Sequence, residues 1–153
     1  MMEAVDEINF AKISKQQQNE AKDIILEGFR ERFGFIDYSL NPDLENIYAN
    51  YTIDGNAFFV GLLHHQIICT GAITKENPTT ARIERMSVKK EFRRQGIARK
   101  MLLHLENCAK DMGYSQAVME TNKKWTSAIN LYKNNGYAEY KQDNQRIHMF
   151  KTL

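Results

Sequence analysis

Proline is nearly absent from the chain: two residues in 153, Pro42 and Pro78, both in stretches that read as loop punctuation. No segment is rich in Gly, Pro or Ser, none repeats, and no low-complexity tract appears. No linker therefore divides the sequence, and one domain over residues 1–153 is expected. A chain of this length buries roughly 70% of its extended surface, enough for a core without metals or disulfides. Cysteine is as scarce: Cys69 and Cys108 stand far apart among apolar neighbours, outside any CxxC pair. Two reduced thiols in a cytoplasmic protein are expected, with a single disulfide as the alternative. Long apolar runs are missing too, and Ala57 to Leu63 is far too short to span a bilayer. The opening MMEAVDEINF has acids where a secretory signal needs a basic and then an apolar stretch, so export is not expected. His64, His65, His104 and His148 make no HxxH or HExxH spacing, and no metal site is expected.

Charge of one sign is also lacking. Lys and Arg number 21 against 19 Asp and Glu, a net +2 that does not suit a protein coating nucleic acid. The cations are uneven, however. Between Lys89 and Lys100 there are six (Lys89, Lys90, Arg93, Arg94, Arg99, Lys100) against the single acid Glu91. A local anion site in a nearly neutral chain fits a compact, highly charged ligand better than a long polymer. Hydrophobic residues at 42% and charged residues at 26% exclude a disordered tail and a membrane-embedded chain.

Periodicity gives the order of elements. Residues 7–13 alternate as an opening strand, and Ser14 with Gln17 fits a capping box. Ala21, Ile24, Ile25, Phe29 and Phe33 then form a helical stripe, which Gly34 ends. A short second helix is expected from Pro42 to about Tyr51, capped by Asn41. Residues 57–63, 66–74 and 80–88 read as strands, with His64 and His65 at a hairpin turn. From Ile97 the apolar positions fall on one helical face through Met112, and Gly113 supplies a left-handed cap. Residues 115–121 return to strand, 126–135 to helix, and 137–141 with 146–151 form a closing antiparallel pair. Hairpins followed by β-α-β-α-β predict an α/β (α+β) sandwich, a mixed sheet covered by helices.

The stretch from Met86 to Lys100 carries the chemistry. A strand ends near Val88, a basic turn follows, and a helix begins at Gly96 to Ala98. A helix N-terminus presents unpaired N–H groups and a partial positive charge. Gly96 lets the backbone approach a ligand, Ala98 keeps the first turn free of bulk, and Arg93, Arg94 and Arg99 add charge. This is a cradle for phosphate, best suited to a pyrophosphate. The bland alternative is that Gly96 only shapes a turn among solvated arginines. The loop has neither the second glycine and Lys-Ser/Thr of a Walker loop nor the three glycines of a Rossmann fingerprint.

Arg93-Arg94-Gln95-Gly96-Ile97-Ala98, between the strand IERMSV and the helix ARKMLLHLENCAKDMGY, resembles the acetyl-CoA loop of the GNAT superfamily of N-acetyltransferases, Arg/Gln-x-x-Gly-x-Gly/Ala. Downstream, Ala128-Ile-Asn-Leu-Tyr132-Lys-Asn-Asn-Gly136-Tyr137 resembles the family's A-I-x-L-Y-x-x-x-G-F/Y segment. The order of elements is similar over essentially the whole chain. The resemblance implies a mostly antiparallel sheet with helices on both faces and a central splay between strands 81–88 and 115–121. It implies acetyl-CoA as cosubstrate, with pantetheine amides on the backbone of Met86, Ser87 and Val88. The pyrophosphate would lie on the N–H groups of Arg94, Gln95, Gly96, Ile97, Ala98 and Arg99 beside Arg93, and the thioester beside Tyr132 and Asn122. Trp125 stands where related sequences often carry an asparagine that contacts the cofactor, a role that Asn122 could take.

Acetyl transfer to an amine needs a base, because an alkyl ammonium is neutral in only on the order of one part in a thousand at pH 7. Glu84, read by simple alternation as sharing a face with Met86 and Val88 one step before the splay, is the first candidate, and Glu120 the second. Either could instead be an ordinary strand carboxylate paired with Arg82 or Arg85. Tyr132 is the candidate acid for the departing sulfur, against a packed core tyrosine. The aromatics Phe29, Phe33, Phe35, Tyr38, Tyr48 and Tyr51 surround the region where the family admits its acceptor. The expected partner is a small-molecule or peptide amine, with no nucleic acid or membrane, for a monomer or homodimer. A module that binds acetyl-CoA without turnover remains the alternative, and a nucleic-acid-binding domain the third.

Overall fold

Residues 7–33 and 42–153 are described by the computed structural model, the side chains of Arg32 and Phe33 excepted. The opening strand is shorter than expected, β1 Asn9–Lys12. Ser14 donates its N–H to Gln17 Oε1 at 2.9 Å, the return half of the capping box, and a 3-10 turn at Lys15–Gln17 leads into α1 Gln18–Phe33. Asn41 and Gly34, expected as cap and stop, lie outside the described residues. The expected helix from Pro42 is split into a 3-10 turn Pro42–Asn46 and α2 Ile47–Tyr51. The split falls at Asn46, whose Oδ1 accepts from Ala49 N at 3.2 Å and so caps a new start.

The hairpin β2 Ala57–Leu63 to β3 Gln66–Asn77 turns at His64 and His65, both at positive φ (51° and 68°), the twist that a two-residue hairpin demands. β4 Thr80–Val88, α3 Ile97–Asp111, β5 Gln116–Asn122, α4 Thr126–Asn134, β6 Ala138–Gln142 and β7 Arg146–Thr152 complete the chain. The seven strands form one sheet in the order β1-β2-β3-β4-β5-β7-β6, antiparallel throughout except where β4 meets β5.

Two cores sandwich the sheet. On one face α1 and α2 bury Ile24, Ile25, Ile47 and Tyr51 against Phe58, Val60, Ile67 and Ala72. On the other, α3 and α4 bury Met101, Leu102, Leu105 and Tyr132 against Phe59, Ile73, Ile83 and Met119. Gly71 brings α3 close to the sheet: a Cβ there would stand 2.8 Å from both Leu105 and Met101. Cys69 and Cys108 are free thiols. Among the described residues no helix is long and apolar enough to cross a membrane, which leaves membrane-crossing strands unaddressed.

Candidate active site

β4 and β5 are paired in parallel over three positions only, Thr80 with Gln116, Ala81 with Ala117 and Arg82 with Val118. Beyond Arg82 the two strands part, so Glu84 lies within the divergent segment and not before it. On its other side β4 stays on β3, with Val88 opposite Cys69, and Lys89 donates to Ile68 O at 2.8 Å. Backbone groups alternate along an extended strand, so the peptide groups of Met86 and Val88 turn toward the open side. One of those acceptors is engaged: Arg93 Nε donates to Val88 O at 3.0 Å.

α3 opens next to that edge. Its N-cap, Gly96, has φ +78° and supplies no side-chain cap, and the first bond back to it is Lys100 N to Gly96 O at 3.2 Å. The N–H groups of Ile97, Ala98 and Arg99 therefore face outward without helical partners. A Cβ on Gly96 would meet nothing within 4 Å, so the backbone is open to a ligand there. Arg94, also at positive φ (64°), Gln95 and Arg99 are exposed around this opening. Arg93 is exposed too, but its guanidinium turns to Glu31 of α1, with Nη2 3.1 Å from Oε1. The structure gives it to the seam between α1 and the loop. Met86 and Val88 pack toward the α3 core, Ile97 is buried, and Ser87 Oγ stands against the Ile24 carbonyl and Gly28 of α1.

Alternation fails at Glu84. Thr70 pairs with Ser87 and Ala72 with Glu84, so Arg85 and Met86 together oppose the single residue Gly71. This β-bulge, with Arg85 at φ +57° and its carbonyl accepting from Thr70 Oγ1 at 2.7 Å, puts Glu84 and Arg85 both on the α2 side. The expected shared face of Glu84 with Met86 and Val88 is thus corrected: the extra residue places them on opposite faces.

The two arginines expected for Glu84 reach other carboxylates. Arg82 pairs with Glu76 at 2.9 Å and approaches Glu120, while Arg85 grips Asp43 through Nε at 3.0 Å and Nη2 at 2.6 Å. Glu84 Oε1 instead stands 2.7 Å from the hydroxyl of Tyr51, which is also 2.8 Å from Asp43 Oδ2. Burial, with the two carboxylates beside it, pushes the Tyr51 phenol well above its usual range. Glu120 sits in a different environment, with Arg146, Arg82 and His148 all directed at it. A depression of about 480 Å³ lies next to it, lined by Asp143, Asn144, Gln145 and Arg146.

Tyr132 is buried in the α3–α4 core, its ring edge-on to Tyr137 at 5.9 Å between centroids. Asn122, at the end of β5, accepts Lys124 N on Oδ1 at 2.9 Å, and its carbonyl accepts Trp125 N at 3.0 Å, which fixes the turn into α4. Of the acceptor-side aromatics, Tyr51 is buried and Phe29 and Tyr48 are half-buried, while Phe35, Tyr38 and the Phe33 side chain lie outside the described residues. Asp43 and Tyr51's hydroxyl were missed as site groups, because their link to Glu84 spans three elements and leaves no local motif. Among the described residues no group of three His, Cys, Asp or Glu side chains is placed to hold a metal ion.

The model of the acetyltransferase (GNAT) domain matches residues 54–139, which hold the divergent strands, the loop and both motifs. The chain belongs to the GNAT family. This GNAT domain is 36% identical over 101 residues to "Probable N-acetyltransferase 14" of Xenopus tropicalis, a match covering 63% of the chain and 48% of that protein. The chain spans about half the length of the curated relatives it matches. Among solved structures, a GNAT-family acetyltransferase from Staphylococcus aureus superposes with TM-score 0.85 at 26% identity, covering 95% of this GNAT chain and 99% of the other. The PaiA N-acetyltransferase of Thermoplasma acidophilum, solved with coenzyme A, shares the fold at TM-score 0.81 and 14% identity, over 96% and 99% of the two chains.

Proposed function

We propose that the chain transfers the acetyl group of acetyl-CoA to a primary amine by direct attack within a ternary complex. One observation carries this reading: β4 and β5 part after Arg82 and Val118 immediately before the uncapped N-terminus of α3. The open edge at Met86 to Val88 suits the amides of pantetheine, and the N–H groups from Arg94 to Arg99 suit its pyrophosphate. Acetyl-CoA supplies an acetyl group already activated as a thioester. Glu84 takes the proton of the acceptor ammonium, Asn122 offers its side-chain NH2 to the cosubstrate, and Tyr132 donates a proton to the departing sulfur. Glu84 is preferred to Glu120 because its observed partner is a neutral hydroxyl, whereas Glu120 faces two arginines and a histidine. The acceptor is a small-molecule or peptide amine, and the cytoplasm is the compartment proposed for the reaction.

The test is release of free thiol from acetyl-CoA with a panel of amines: a polyamine, an amino acid, an amino sugar and a peptide with a free N-terminus. Amine-dependent release supports the reading. Thermal stabilisation by acetyl-CoA with no release for any amine would leave a binding module instead.

A further inference from the structure

The Tyr51 hydroxyl lies between two carboxylates, 2.7 Å from Glu84 Oε1 and 2.8 Å from Asp43 Oδ2, and it has one hydrogen to give. Asp43 already accepts two hydrogen bonds from the Arg85 guanidinium. The hydroxyl therefore has two stable settings. With Glu84 ionised it donates to Glu84. With Glu84 protonated it accepts from Glu84 and donates to Asp43, and both contacts become hydrogen bonds.

We infer that Asp43 and Tyr51 are positioning residues that form a proton-responsive relay behind Glu84, turning the hydroxyl toward Asp43 when Glu84 takes up a proton. This rests on the reading of Glu84 as the base for acetyl transfer. The proton balance is closed: the acceptor nitrogen loses one proton, Glu84 gains it, and Tyr51 keeps its own while changing partner. The relay spares the protonated carboxyl a wait for water in a half-buried site.

Among the described residues, the groups around Glu84 leave this role to Tyr51 and Asp43. On β3 its opposite residue is Ala72, which cannot hydrogen-bond through its side chain. On its own strand Arg85 is held by Asp43 and also lies against the Tyr51 hydroxyl, and Arg82 is held by Glu76 and Glu120. From the turn before α2, Glu45 pairs with Lys22 of α1 at 3.1 Å.

The experiment is carbon-13 carboxyl NMR titration of the full chain labelled at glutamate, without cosubstrate, with the Glu84 signal assigned by its loss in Glu84→Gln. Asp43→Asn weakens the acceptor available to the turned hydroxyl, and the Glu84 titration moves to lower pH by about one unit. A through-space charge effect would do the same, so the deciding comparison is Asp43→Asn made in the Tyr51→Phe background. The relay requires the Asp43→Asn shift to shrink there to less than about a third. A shift of undiminished size overturns it. Should Asp43→Asn not fold, Tyr51→Phe alone decides, and a Glu84 titration unmoved by loss of the hydroxyl overturns the relay. Coupling without acetyl transfer to any amine would defeat the proposed function and leave the relay standing. Transfer without coupling would do the reverse.

Discussion

Glu106 and Tyr137 meet in the interior: the Tyr137 hydroxyl donates to Glu106 Oε2 at 2.8 Å, joining the middle of α3 to the residue that follows α4's closing glycine. Lys151 of β7 takes the other oxygen at 3.0 Å. Burial, then the nearby carboxylate, pushes the Tyr137 phenol far above its usual range. The helix that offers its N-terminus and the helix that carries Tyr132 are thus held in register by one carboxylate.

Removing that carboxylate leaves a buried hydroxyl and an ammonium without their partner. Glu106→Ala is expected to lose about 3–5 kcal/mol in urea unfolding, and Glu106→Gln less, since it keeps an acceptor for Tyr137. A loss under about 1 kcal/mol for the alanine variant would show that the two helices are held by apolar packing alone.

Gly96 separates binding from folding. Its φ of +78° makes any side chain strained by about 1–2 kcal/mol, yet its open surroundings make no clash. Gly96→Val should therefore fold with a modest loss and bind acetyl-CoA at least tenfold more weakly, because the added bulk stands before the N–H groups of α3. The native chain at 100 times the dissociation constant should gain about 2.7 kcal/mol, read as a rise in Tm. Equal losses of affinity and stability in the variant would make Gly96 a turn residue only.

Tyr132 and Glu84 differ in how pH rescues their loss. Tyr132→Phe keeps the ring packing and should lower turnover by about 10²–10⁴ with acetyl-CoA affinity little changed. The Glu84→Gln defect should shrink as pH approaches the acceptor's own pKa, where free amine needs no base. Steady-state rates across pH check both. Unchanged turnover in Tyr132→Phe returns that residue to the core.

Cys69 sets an alkaline limit. Burial pushes its thiol up to about 12. The unfolded chain releases this proton at about pH 8.5. Between those values the folded state binds more protons, and stability falls as pH rises through that window. Tm measured from pH 8 to 11 should decline more steeply for the native chain than for Cys69→Ala. Parallel curves would assign the decline to other groups.

Much of the fold was legible because local rules act within a few residues. Ser14 with Gln17, the His64–His65 turn, Gly113 at φ +99° and the apolar face of α3 all stand where the sequence puts them. What escaped needed partners far along the chain. The pairing of Arg93 with Glu31, on another helix, was not foreseen beside its expected place at the phosphates. Glu106 was not singled out, since nothing near it in the sequence foretells Tyr137 and Lys151. The bulge at Arg85 leaves no trace in hydrophobic alternation, because Glu84 and Arg85 are both polar and either could have faced solvent.

That bulge gives β4 two phases. Upstream of it Ala81 and Ile83 point to the α3 core, and downstream Met86 and Val88 do so again only because one residue has been added between them. Flattening the bulge with the chain length unchanged would leave every later side chain inverted, with Ser87 in the apolar layer under α3 and Met86 and Val88 turned out toward α1. Deleting Arg85 itself would instead restore plain alternation, with Met86 and Val88 still toward α3 and the grip on Asp43 lost. At the bulge β4 therefore tolerates the loss of one residue better than the loss of its irregular backbone.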